Sequence, residues 1–198
     1  MKPMNLIERI ETNVQNNITT AENTLLAMQN PIALAAQLMT HCILSGKKIL
    51  SCGNGGSASQ AQHFSSLMLN RFEMERPGLP AVTLTSDTST LTSIANDHNY
   101  DLIFSKQIQA LGQAEDILFA GTTSGNSANI VNAIDAAHGR GLHIIALTGR
   151  NGGEVATRLK PDDVEIRIPS DSTPRIQEAH LLVIHCLCDL IDHQLTGQ

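Results

Sequence analysis

Three side chains in this sequence could do chemistry on a bound ligand: His63, Gln177 and His185. Gln177 and His185 are eight residues apart, which on a helix is a turn of ~80° about the axis, so both can face one wall of a cleft. A second set of residues is suited to holding an anion. Gly53-Asn54-Gly55-Gly56-Ser57 and Gly121-Thr122-Thr123-Ser124-Gly125-Asn126-Ser127 are two short loops of glycine, hydroxyl and amide residues. Each runs into a stretch with helical character. Free backbone N–H groups at a helix start, with the positive end of the helix dipole, attract phosphate. Glycine lets the backbone approach closely, and the hydroxyls add uncharged donors. Two such loops in one chain imply one phosphorylated small molecule held between them.

Those loops need elements to aim them. Each follows a short apolar run, Lys48–Cys52 and Asp116–Ala120. Further runs at Ala81–Leu84, His143–Leu147 and Val164–Ile168 have the same branched, apolar character, as buried parallel strands do. Helical patterns lie between them, near Gln60–Asn70, Thr90–Ala95, Ile103–Leu111, Ala128–His138 and Glu154–Leu159, and an amphipathic helix spans Arg175–Leu195. The alternation predicts an α/β fold, a three-layer α/β/α sandwich around a five-stranded parallel sheet. Ligands of such sheets sit outside the carboxyl ends of the strands, where both loops fall. Ahead of the first strand, Asn5–Met28 and Ile32–Leu44 predict two helices separated at Pro31. We expect one domain over 1–198, with residues 1–45 capping it or packing against another subunit and 46–198 forming the α/β core.

Other functions are excluded on residues. Gly53-x-Gly55-x-x-Ala58 fits a loose dinucleotide pattern, but the acidic residue required about 20 positions on is missing and Asp87 is too distant. No Lys-Ser/Thr follows the glycines, so the Walker pattern is absent. The turn Thr85–Thr90 reads either as a helix N-cap or as a further ligand contact, and Asn96-Asp97-His98 reads as a helix-end signal. A net charge of −6 and no Lys/Arg run argue against a direct nucleic-acid surface. With 3% aromatics and no Trp, no base-stacking platform is expected. No apolar stretch reaches the ~18–20 residues of a membrane span, and Met1–Glu11 lacks the apolar segment of a secretory signal. Cys42, Cys52, Cys186 and Cys188 form no C-x-x-C pair, consistent with reduced thiols in a cytoplasm.

The Cys-Gly-Asn-Gly-Gly-Ser loop, the Thr-Ser-Gly-Asn-Ser loop and Arg175-Ile176-Gln177-Glu178 resemble the sugar isomerase (SIS) domain family. Asn70-Arg71-Phe72-Glu73, Ile94-Ala95-Asn96-Asp97, Leu147-Thr148-Gly149-Arg150 and Val164–Pro169 extend the resemblance over nearly the whole chain, to the phosphoheptose isomerase branch. The resemblance implies conversion of sedoheptulose 7-phosphate to D-glycero-D-manno-heptose 7-phosphate for lipopolysaccharide core, by a cytoplasmic homotetramer. It implies ligand contacts at Asn54, Gly55, Gly56, Ser57, Thr122, Thr123, Ser124, Ser127 and Gln177, with Asp97 near the sugar hydroxyls. It also implies zinc held by His63, Gln177, His185 and a Glu, with His185 as a catalytic acid/base.

That Glu belongs four residues after His63, on the same helix face. Leu67 stands there instead. Leucine neither accepts a proton nor ligates zinc, so the metal site is incomplete, zinc is expected to be weak or absent, and turnover is in doubt. Glu73 and Glu75, in the following segment, are the nearest substitutes. The DnaA initiator-associating replication factors, a non-catalytic arm of the branch, also lack a carboxylate there, so Leu67 points to them. His185 points to the enzymes. A sugar-phosphate sensor without a protein partner is the third reading.

Overall fold

The structure is a computed structural model that describes residues 5–197; residues 1–4 and 198 of the expected domain lie outside the described residues. Five strands form one parallel sheet: β1 (Ile49–Gly53), β2 (Ala81–Thr83), β3 (Ile117–Gly121), β4 (His143–Gly149) and β5 (Val164–Ile168). Their order across the sheet is β2-β1-β3-β4-β5. Because side chains alternate across a strand, neighbouring residues enter different cores. Ile49, Ile117, Phe119 and Ile145 pack into one layer, and Leu50, Leu118, Ala120 and Ile144 into the other.

The first layer holds α1 (Leu6–Leu44), α2 (Gly56–Leu69) and α7 (Thr173–Thr196), through residues such as Met39, Phe64 and Val183. The second holds α3 (Thr88–Asp97), α4 (Ser105–Leu111), α5 (Ala128–Gly139) and α6 (Gly153–Arg158), through Ile94, Ile108, Ile134 and Val155, with a short 3₁₀ turn at Tyr100–Leu102. This is the expected three-layer sandwich. Among the described residues no helix is long and apolar enough to cross a membrane.

One expectation is corrected. The two N-terminal helices are a single helix, α1, with Pro31 inside it. Proline removes one N–H and so one helical hydrogen bond, which would otherwise reach the Ala27 carbonyl. The packed face runs straight through it. Thr20 and Thr24 are buried, and Met28, Ile32, Ala35, Ala36 and Met39 continue the packed side of the helix against the first core. Tertiary packing on both sides of Pro31 outweighs the local loss. The apolar positions that signalled the first helix, Leu6, Ile10, Val14, Ile18 and Leu25, lie on its exposed side, with Leu6 79% exposed.

Two contacts tie α2 to α7, the helices that carry the two histidines. Near the N-terminal end of α2, the Gln60 carboxamide donates to the Gln177 carbonyl at 2.7 Å. Just beyond its C-terminal end, buried Arg76 donates to the Leu67 and Met68 carbonyls and pairs with Asp192 of α7. Arg76 thereby serves carbonyls at a helix end, where intrahelical partners run out; the Met68 carbonyl also accepts from the Leu79 N–H at 2.9 Å.

Candidate functional site

The chain leaves β1 toward β2 on one side of the sheet, and β3 joins β1 on the other. The crevice at the carboxyl ends of β1 and β3 is therefore the topological switch point, the place where α/β sheets hold ligands. Gly53 and Gly121 are register partners, so both loops begin side by side there. The structure brings together what the two distant loops predicted.

The first loop turns through Asn54 and Gly55 into α2, whose start has no side-chain cap. Ser57 is buried in its first turn. Gly56 is needed for close approach: a Cβ there would overlap the Gln177 carboxamide. That contact puts Gln177 against the first loop. In the second loop, buried Thr122 accepts from the Gly125 N–H at 3.2 Å, and the Ser124 hydroxyl accepts from the Asn126 N–H at 3.2 Å. Gly125 has φ +71°, and a Cβ on it would overlap the Gly152 carbonyl. Ser127 begins α5 with its hydroxyl unused as a cap. Both helix starts at the crevice thus keep first-turn N–H groups free of side-chain caps.

Sequence reasoning missed what joins the loops. Asn129, buried in the first turn of α5, exchanges two hydrogen bonds with Asn54, at 2.8 and 2.9 Å. The Tyr100 hydroxyl donates to the same Asn54 oxygen at 3.0 Å. The available signal was an amide residue just after the second loop and the chain's one tyrosine. Asp97 ends α3 in the segment before Tyr100 and accepts from the Asn96 amide. The turn at Thr85–Thr90 is structural: Asp87 caps α3, accepting from the Thr90 N–H and hydroxyl, which holds its carboxyl below the ordinary range.

His63 of α2 and His185 of α7 meet with their Nε2 atoms 3.1 Å apart and their rings edge to face. Phe72 packs beside His185, with ring centroids 5.7 Å apart. Desolvation, then the adjacent His63 ring, hold His185 below the ordinary histidine pKa, which favours its neutral form.

A tetrahedral zinc with Zn–N bonds of ~2.0–2.1 Å separates two imidazole nitrogens by ~3.3 Å, so the histidines suit two corners of such a site. Gln177 offers an amide oxygen. The remaining corner is Leu67, which packs against the first core as a partly buried apolar side chain. Glu75 is paired with Arg71, and Glu73 lines a small separate cavity with Asp189, Asp192 and His193. Among the described residues no three His, Cys, Asp or Glu side chains cluster to hold a metal. The donor set does not complete a zinc site, and no chemical step is routed through one.

A family model described as the SIS domain matches residues 5–149. The chain belongs to the SIS domain family. Within it the relatives are consistent: a protein named phosphoheptose isomerase from Chromohalobacter salexigens is 68% identical over 166 residues, 84% of each chain. One of the same name from Coxiella burnetii is 57% identical over 192 residues, covering 97% of this chain and 96% of its own. Among solved structures, the phosphoheptose isomerase of Francisella tularensis superposes with a TM-score of 0.94 at 46% identity, over 96% of this chain and 100% of that one. That of Neisseria gonorrhoeae gives 0.90 at 48%, over 95% and 99%. These likenesses assign the chain to the phosphoheptose isomerase branch.

Proposed function

We propose that this protein binds sedoheptulose 7-phosphate at the switch point and isomerises it slowly to D-glycero-D-manno-heptose 7-phosphate, a step toward lipopolysaccharide core. The observation that carries this reading is the pairing of two uncapped helix starts and their hydroxyl loops across β1 and β3, beside a two-histidine cluster. Ser57, Thr122, Thr123, Ser124 and Ser127, with the N–H groups around Gly55 and Gly56, hold the terminal phosphate. Asn54, Asp97 and Gln177 contact the sugar.

The reaction is an internal proton shift. A base takes the C1 proton next to the C2 carbonyl of the open-chain ketose, a proton moves from O1 to O2, and C2 is reprotonated to give the aldose. No oxidant or second substrate is needed. His185 is the acid/base, and His63 holds its ring. Zinc is weakly held or absent; His63, Gln177 and His185 would be its ligands. Without a carboxylate at position 67, the rate falls by ~10²–10⁴-fold, the usual effect of losing a positioned general base.

A homotetramer in the cytoplasm is part of this proposal. The exposed apolar row of α1, with Leu6, Ile10, Val14 and Leu25, supports it, since a contiguous apolar face of this kind marks an interface.

One observation favours a second reading. Leu67 places a partly buried apolar side chain, packed against the first core, at the corner where the isomerases have a carboxylate, as suits a binding protein that has given up turnover. The partner would then be a replication initiator of the DnaA type, with sugar phosphate as a regulatory ligand. A turnover assay on sedoheptulose 7-phosphate separates the two. Slow conversion by the wild type and a ~10²–10⁴-fold gain in Leu67→Glu support the enzyme. No conversion by either variant, with an initiator protein retained by the purified oligomer, supports the second.

A further inference from the structure

We infer that Asn129 and Tyr100 are positioning residues that set which way Asn54 presents its carboxamide to the sugar, an inference that rests on the sugar-phosphate reading above. Asn54 sits in the β1–α2 loop, and Asn129 is one residue inside α5, beyond the other loop. Their amides lie head to tail, with Asn54 Nδ2 donating to Asn129 Oδ1 at 2.8 Å and Asn129 Nδ2 donating to Asn54 Oδ1 at 2.9 Å. Asn129 is 2% exposed, so its amide has no water to turn to and the pair is held.

A reciprocal amide pair has one ambiguity. If both amides turn over together, the same two bonds reform with oxygen and nitrogen exchanged. Tyr100 resolves it. Its hydroxyl reaches Asn54 Oδ1 at 3.0 Å, and a phenol is a better donor than acceptor, so the oxygen of Asn54 is selected for that side. The outcome is an Asn54 whose oxygen is saturated by two donors and whose second Nδ2 hydrogen is not used within the described residues. At the rim of the crevice Asn54 is therefore a hydrogen-bond donor and not an acceptor. It suits a sugar oxygen with an available lone pair, such as the carbonyl of the open-chain ketose. It adds little for inorganic phosphate, which the loop N–H groups and hydroxyls already satisfy.

The arrangement also couples segments. Tyr100 follows Asp97 by three residues on the segment after α3, so the Asn54 orientation and the Asp97 position depend on the same stretch of chain. Sites built to donate to one ligand group discriminate strongly against analogues that lack it, because a buried partner left unpaired is costly.

Binding of sedoheptulose 7-phosphate and of inorganic phosphate to the full chain is measured by calorimetry for wild type, Asn54→Ala, Asn129→Leu, Tyr100→Phe and the double variants with Asn54→Ala. We expect Asn129→Leu to weaken sugar-phosphate binding by tenfold or more and Tyr100→Phe by threefold or more, with inorganic phosphate changed less than twofold. In the Asn54→Ala background both substitutions should add nothing, since they act through Asn54. A loss under twofold, equal losses for both ligands, or losses that add to that of Asn54→Ala would overturn the proposal while leaving the functional reading intact. If the wild type binds no sedoheptulose 7-phosphate, the functional reading falls, and this inference with it. Tyr100 is exposed, so Tyr100→Phe keeps the test available should Asn129→Leu not fold.

Discussion

His63 and His185 face each other through their Nε2 atoms at 3.1 Å, although 122 positions separate them in the chain. The Gln60 and Arg76 clamps hold their two helices together on either side of the pair. The site therefore has a two-imidazole centre with, among the described residues, no carboxylate completing a metal-holding group.

Zinc content reports the missing carboxylate directly. Protein purified without added metal should hold well under one zinc per chain by elemental analysis, and Leu67→Glu should raise the content toward one. An anionic fourth ligand is what the site lacks. Stoichiometric zinc in the wild type would show that two histidines and Gln177 suffice.

The phosphate cradle should depend on its hydroxyls. Ser57→Ala and Ser124→Ala each remove a donor to a charged group, a loss of ~1.5–3 kcal/mol, or ~10–100-fold in Kd for the sugar phosphate. Calorimetric titration checks this, with unfolding temperatures close to wild type as the control.

Two glycines should fail differently. Gly56→Ala meets the flexible end of the Gln177 side chain, which can move aside. Ligand binding should drop while stability changes by about 1 kcal/mol or less. Gly125→Ala meets the Gly152 backbone from a left-handed conformation and should cost about 2–4 kcal/mol. Denaturant unfolding of the two variants gives the comparison.

His180 should make the fold acid-sensitive. It is fully buried, its Nε2 bonds to the Thr148 carbonyl at 2.9 Å, and its Nδ1 has no hydrogen-bond partner among the described residues. Burial pushes its pKa down to about 4 from an ordinary 6.5. Above pH 6.5 both folded and unfolded forms are neutral, and the group contributes no slope. Between pH 6.5 and 4 only the unfolded chain takes up the proton, so stability falls as pH falls, by ~1.4 kcal/mol per unit. Denaturant unfolding across this range should show the slope, and His180→Gln, which retains a donor, should reduce it by that amount.

The exposed row on α1 should be an interface between copies. Ile10→Asp with Val14→Asp should dissociate the oligomer in light scattering while leaving the helical circular dichroism signal largely in place. An unchanged mass would assign that row another role.

Much of this protein was legible in one dimension. Branched apolar runs such as Ile117–Ala120 suit buried central strands, and their alternation with helices points to a parallel sheet with loops at its carboxyl edge. The two glycine-hydroxyl loops could be read because their chemistry is local: a helix start and its neighbours need no distant partner to attract phosphate. Leu67 could be read as a departure only through the resemblance, which implies a Glu four residues after His63, on the same helix face. Tertiary structure decided the rest. Pro31 ends a helix by local rules, yet α1 runs through it because a packed face continues on both sides. The row of apolar residues that signalled that helix turned out to be its exposed side, since periodicity identifies a stripe without saying what covers it. The Asn54–Asn129 pair and the His63–His185 pair each join residues from different helices or loops. No spacing rule predicts their meeting, because it depends on the order in which β1, β3 and α7 are laid across the sheet.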